Sequence, residues 1–107
     1  MAKEISLRPY PGCILLCRSL SELKREHRRI TKQVYDFAEV SGKGGVMARI
    51  DGSDGSLIYL VWGCGFRNVV HELCHVLLET FKDIGHNPTE GDGEPFCYML
   101  SALMDEI

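Results

Sequence analysis

The chain has no apolar run long enough to cross a bilayer. Its first residues, MAKEISLRPYPG, lack the apolar core and small-residue cleavage site of a secretory signal. These two absences predict a protein that stays in the cytoplasm. Cys-x-x-Cys pairs are also missing, which removes the usual zinc-ribbon and thioredoxin-type readings. The five cysteines (Cys13, Cys17, Cys64, Cys74 and Cys97) are odd in number and unclustered, so they read as reduced thiols, mostly small buried apolar residues. There are no internal repeats and no low-complexity tracts. With 107 residues there is room for one domain, residues 1–107, and a 45% hydrophobic content suffices for a single core.

Negative charge is scarce in the first half and positive charge in the second. Residues 1–50 hold ten Lys/Arg against five Asp/Glu, whereas residues 51–107 hold two against ten. The net charge of −3 therefore conceals a difference of thirteen charges, +5 against −8, between the halves. Much of the excess lies in RSLSELKREHRRITK, residues 18–32, where Arg18, Lys24, Arg25, Arg28, Arg29 and Lys32 surround Glu22 and Glu26. Such a segment suits an anionic partner, nucleic acid included. No aromatic residue interleaves the basic ones, which favours a solvated helix face laced with i to i+4 pairs over a nucleic-acid site.

GCILLCR, residues 12–18, reads as a buried strand bounded by Pro11-Gly12. A helix follows, capped by Ser19 or Ser21 and running to about Lys32, with Leu20, Leu23, His27 and Ile30 at spacings of three and four. QVYDFAEV, GVMARID and SLIYLVWG read as three further strands, joined by SGKGG and DGSDG as hairpin turns into an antiparallel meander. SGKGG is not a phosphate loop, because Lys43 precedes Gly rather than Ser or Thr and the upstream glycine is absent. From about Arg67 the period changes to 3.6, with Val70, Leu73, Cys74, Leu77, Phe81 and Ile84 in one stripe and Gly85 as the stop. A last helix opens near Asp92 as N-cap, accepts Pro95 in its first turn, and turns Phe96, Cys97, Leu100, Leu103, Met104 and Ile107 inward. The expected fold is α+β: a small antiparallel sheet of three or four strands packed against three helices, a minimal zincin-like core.

VVHELCHVLL, residues 69–78, carries the chemistry. At about 100° per residue, His71 and His75 lie one turn apart and about 40° apart in azimuth, beside the apolar stripe. Their imidazoles reach one point, as two ligands of a tetrahedral Zn²⁺ must. Glu72 projects about 100° from His71, which suits a general base acting on a water activated by the metal. A catalytic zinc needs a third protein ligand, and His86, Glu90, Asp92 and Glu94 are the candidates. Phe81 stands six residues after His75, which excludes the three-histidine version of the motif. Tyr98, one turn after Glu94, has a hydroxyl suited to a developing oxyanion. Cys74, inside the motif, faces the apolar stripe as a core residue, and His86 reads as a loop residue. The plain alternative makes His71 and His75 partly buried residues hydrogen-bonded to Glu94 or Asp92, Glu72 a solvated helix residue and Tyr98 a packing aromatic.

His71-Glu72-Leu73-Cys74-His75, eighteen intervening residues and then Glu94 resemble the signature of the gluzincin metallopeptidases. More closely, VVHELCHVLLETFKDIGHNPTEGDGEPFCYML resembles small metallopeptidase-like proteins of bacteriophages and prophages, in which a short meander precedes the His-Glu-x-x-His helix. The resemblance is specific over residues 69–104 and architectural before them. It implies Zn²⁺ on His71, His75 and Glu94 with Glu72 as catalytic base, and, for a phage-encoded chain, a bacterial host cytoplasm; Tyr98 would then steady the tetrahedral intermediate. The pattern departs at Gly93-Glu94-Pro95, where an ordinary helix former is expected after the Glu.

Two functions follow as expectations. The first is a zinc-dependent metallopeptidase acting on a peptide or protein, with residues 46–50 or 57–62 as the strand edge that pairs with substrate. The chain is too short for the second lobe that full-sized metallopeptidases place over their cleft. The second is a catalytically idle zinc-containing module that binds a host or viral protein, with nucleic-acid binding through residues 18–32 ranked behind both.

Overall fold

The computed structural model describes residues 2–37 and 44–107. Its elements are β1 (Lys3–Ser6), β2 (Cys13–Leu16), α1 (Leu20–Thr31), β3 (Gly45–Asp51), β4 (Leu57–Gly63), α2 (Phe66–Asp83), a single 3₁₀ turn (Glu90–Gly93) and α3 (Glu94–Met104). The fold is α+β, with four strands and three helices among the described residues.

The sheet is mixed, in the order β1-β2-β4-β3. β1 pairs antiparallel with β2 and β3 antiparallel with β4, but β2 and β4 run parallel, with Ile14 opposite Tyr59 and Leu16 opposite Val61. This corrects the expected meander. The DGSDG turn closes the β3–β4 hairpin, through Gly52 N–H to Ser56 O at 2.8 Å and Gly55 at φ 88°. Residues 33–37 of the expected QVYDFAEV strand form no strand, and residues 38–43, with most of the SGKGG turn, lie outside the described residues. Phe37 turns left-handed at φ 55° and buries its ring beside Leu23 and Leu60, so packing overrides strand propensity there.

Alternation along the strands divides the core in two. Ile14, Tyr59 and Val61 face α2 and α3, joining Val69, Leu73, Val76, Leu77 and Leu103. Leu15, Val46 and Leu60 face the other way, onto Leu23 and Phe37. The sheet is thus covered by α1 on one face and by α2 with α3 on the other. Helix α2 anchors the structure, because Leu73, Val76, Leu77 and Phe81 are all fully buried, each worth about 1.5–3 kcal/mol on transfer from water.

The buried face of α2 is broader than the expected stripe. It includes Val69, Val76 and Thr80, while Ile84 stays 40% exposed, because the sheet covers one flank and α3 the other. On α3 only Leu103 is buried, with Phe96, Met99 and Leu100 packed against the core. Cys97, Met104 and Ile107 are exposed instead of turned inward. The N-cap of α3 is Gly93, at φ 77°, rather than Asp92, which sits at φ 59° inside the 3₁₀ turn.

Candidate metal centre beside an edge strand

Two close approaches fix α2 against the hairpin. At Gly63 a Cβ would stand 2.5 Å from Val69 N and 2.7 Å from the carbonyl carbon of Asn68, so the first turn of α2 lies on the backbone of β4. Arg49 of β3 then reaches across to α2, with Nη1 2.7 Å from Asp83 and 3.5 Å from Glu79. The same guanidinium is held by Asp51, with Nε at 3.0 Å and Nη2 at 3.1 Å, and lies over the Tyr59 ring at 5.8 Å. These carboxylates hold Arg49 firmly protonated, and Arg49 in turn holds the Asp51 carboxyl below the usual carboxylate range.

Among the described residues β3 is an edge strand and β4 is interior, so residues 46–50 lie on a free edge there and residues 57–62 do not. Beneath that edge an open cleft of about 500 Å³ is lined by Gly45, Val46, Met47, Asn68, His71, Glu72 and His75. It adjoins a smaller one of about 230 Å³, which shares Met47 and His75 and adds Leu78, Glu79 and Lys82. Together they follow β3 along the side of α2.

Within this cleft the imidazoles converge, with His71 Nε2 and His75 Nε2 3.3 Å apart and the rings edge to face. Two nitrogens bound tetrahedrally at about 2.0–2.1 Å to one zinc stand about 3.3–3.4 Å apart, so the pair is spaced for a shared ion. A hydrogen bond between one N–H and one lone pair also fits this distance. Both histidines are exposed to the cleft, whereas Glu72 is buried, 9% exposed, with Oε2 3.9 Å from His71 Nε2. Glu72 is therefore part of the cleft wall and not the solvated residue of the plain alternative.

Glu94 and Tyr98 lie elsewhere. Glu94 is exposed at the start of α3 and Tyr98 is 73% exposed, and neither lines the cleft. Among the described residues, no group of three or more His, Cys, Asp and Glu converges as metal ligands. His86 pairs with Glu90 at 3.0 Å and packs edge to face on Phe81, which accounts for it as a loop residue. Cys74 is half-buried, and burial pushes its thiol up.

Asn68 and Gly45 were missing from the expected site. Asn68 stands three residues before His71 and four before Glu72, so helical period alone brings it to the cleft face. Its Nδ2 donates to Cys64 O at 2.7 Å and holds the entry to α2. Gly45 has no such signal, because its position depends on which strand forms the sheet edge. Compared with protein-family models, curated proteins and solved structures, the chain matches none.

Proposed function

We propose that this chain is a zinc-dependent metallopeptidase in which His71 and His75 hold the metal from one face of α2. The observation that carries the reading is the 3.3 Å separation of the two Nε2 atoms in a cleft that Glu72 also lines. Zinc, when bound, would polarise a substrate carbonyl and acidify a coordinated water. Glu72 would then take the proton of the attacking water at Oε2 and return it to the departing amine, so that one water is consumed for each peptide bond cleaved. The free edge of β3 would hold an extended substrate by main-chain hydrogen bonds, with a side chain seated between Met47 and Leu78. Glu94 and Tyr98 lie outside this cleft, so Glu94 would serve as third ligand and Tyr98 as oxyanion donor only if zinc drew the start of α3 towards α2.

The test is zinc content measured together with hydrolysis of a peptide library. One zinc per chain, lost in His71→Ala and in His75→Ala, with cleavage abolished in Glu72→Gln, supports the reading. Protein free of zinc after growth in zinc-replete medium overturns it. The exposure of Glu94 and Tyr98 favours a second reading, in which the zinc is retained without turnover and the domain acts by binding a protein partner. Glu72→Gln separates the two, because a general base is dispensable where no water is activated.

A further inference from the structure

The outer side of α1, turned away from the sheet, carries a groove that the proposed zinc chemistry does not use. It encloses about 440 Å³ and is lined by Ser21, Lys24, Arg25 and Arg28 of α1 and by Val34, Tyr35 and Asp36 of the following segment. Leu23 and Ile30 hold α1 to the sheet from its opposite side, which turns the three cations outward together. Arg29 is paired, with Nη2 2.7 Å from Glu26. Among the described residues Lys24, Arg25 and Arg28 form no ion pair, and Asp36 is the one carboxylate that lines the groove. Three cations against one carboxylate, on a chain of net charge −3, mark a local preference for anions.

Tyr35 gives this surface a second property. Its ring meets Phe37 edge-on at 4.6 Å and lies 6.1 Å from His27, while Phe37 in turn meets His27 at 5.3 Å and 89°. Phe37 is buried at 7% exposure and held left-handed at φ 55°. A buried aromatic in that backbone state fixes the segment so that Tyr35 stays 55% exposed and Val34 80% exposed beside the cations. An acidic peptide would use the cations and leave this apolar, aromatic wall idle. A single-stranded nucleic acid uses both, with phosphates on the cations and a base on the ring. Residues 18–32 contain no aromatic, and the fold supplies one from outside them.

We propose that this groove binds single-stranded nucleic acid, with phosphates on Lys24, Arg25 and Arg28 and one base stacked on Tyr35. Fluorescence anisotropy of a labelled short homothymidine strand with the full chain tests it. Binding at low salt should weaken with added salt at a log–log slope of about −2, as expected for three phosphates at about 0.7 each. Tyr35→Ala should weaken affinity roughly 5- to 150-fold, with Tyr35→Phe near wild type, because stacking needs the ring and not the hydroxyl. Arg25→Gln and Arg28→Gln should each lower the slope by about 0.7, and Arg67→Gln, on α2, should change nothing. Circular dichroism confirms that each variant is folded. Absence of binding at low salt overturns the proposal. So does a polyglutamate peptide that competes for the groove and binds Tyr35→Ala as well as wild type, since the partner is then an acidic protein segment.

Discussion

Gly45 backs directly onto Glu72, and a methyl group on its Cα would stand 3.3 Å from both Cγ and Oε2 of that side chain. The same methyl would lie 3.1 Å from Trp62 O, so the strand itself cannot yield and the carboxylate must. Gly45→Ala is therefore expected to displace the Glu72 carboxylate by a few tenths of an ångström while leaving the histidine pair in place. On the proposed zinc-peptidase reading, zinc affinity should match wild type, whereas kcat for peptide hydrolysis should fall roughly tenfold or more, because misplacing a reacting group costs rate and not binding. Isothermal titration with zinc and steady-state kinetics on one substrate distinguish the two quantities.

Gly63 makes a harder demand. A Cβ there would meet backbone atoms of Asn68 and Val69 at 2.5–2.9 Å, and no rotamer change relieves a collision with backbone. Gly63→Ala should force the first turn of α2 away from β4, at a cost of about 1–3 kcal/mol or more. Thermal denaturation should show a fall in Tm of several degrees, and a Gly63→Ala protein as stable as wild type would show that the helix start is not held by this contact.

The legible parts of this fold were those fixed by local rules. Ser19 caps α1, the DGSDG turn closes β3 on β4, and Gly85 follows the end of α2, each a matter of a few neighbouring residues. The parallel pairing of β2 with β4 was not legible, because α1, β3 and the loops between them intervene, and turn residues report only on adjacent strands. β1 offered a single buried residue within the strand, Ile5, too little for a hydrophobic pattern. The site divides in the same way. The i, i+4 spacing placed His71 and His75 together, whereas the role of Gly45 and the free edge of β3 depend on strand order. The position of Glu94 depends on the three successive left-handed residues Gly91, Asp92 and Gly93, which turn the chain between α2 and α3 in a way spacing does not disclose.

If Glu94 completes the metal site, zinc must draw the start of α3 towards α2. Glu94→Gln should then lower zinc affinity at least tenfold, as the loss of one of three ligands requires, with Tyr98→Phe leaving affinity unchanged. Wild-type zinc affinity in Glu94→Gln would confine the site to the histidine pair. Titration against a chelating indicator reads the difference directly.

The thiols separate by environment. Cys64 and Cys97 are exposed, contrary to the expectation of mostly buried cysteines. Cys17 is buried beneath α1, and burial, reinforced by the charges of Glu22 and Glu26, pushes its thiol up to about 12. A thiol-specific chromophoric reagent at neutral pH should therefore modify Cys64 and Cys97 rapidly in the native protein and Cys17 only on unfolding. Peptide mapping of the fast phase checks the assignment, and rapid labelling of Cys17 would contradict the packing of α1 on the sheet.

The start of α1 should make the protein sensitive to acid. Ser19 Oγ accepts the Glu22 N–H at 3.1 Å, and Glu22 Oε1 accepts the Arg18 N–H at 2.9 Å, so one short segment satisfies two backbone donors reciprocally. The Arg18 hydrogen bond is the main reason that the Glu22 carboxyl titrates below the usual carboxylate range. A carboxyl lowered in the folded state contributes stability that is fully present above its unfolded value, about 4.3, and is lost as the pH falls through the folded value. Tm should accordingly decline below about pH 4.3 in wild type, and Glu22→Gln should flatten that part of the decline while being less stable than wild type at neutral pH. Ser19→Ala removes the other half of the box and should cost about 1 kcal/mol at neutral pH without flattening the acid limb to the same degree. An acid limb identical in wild type and Glu22→Gln would assign the loss to other carboxylates lowered in the same direction, Asp51 beside Arg49 and Asp54 beside Ser56.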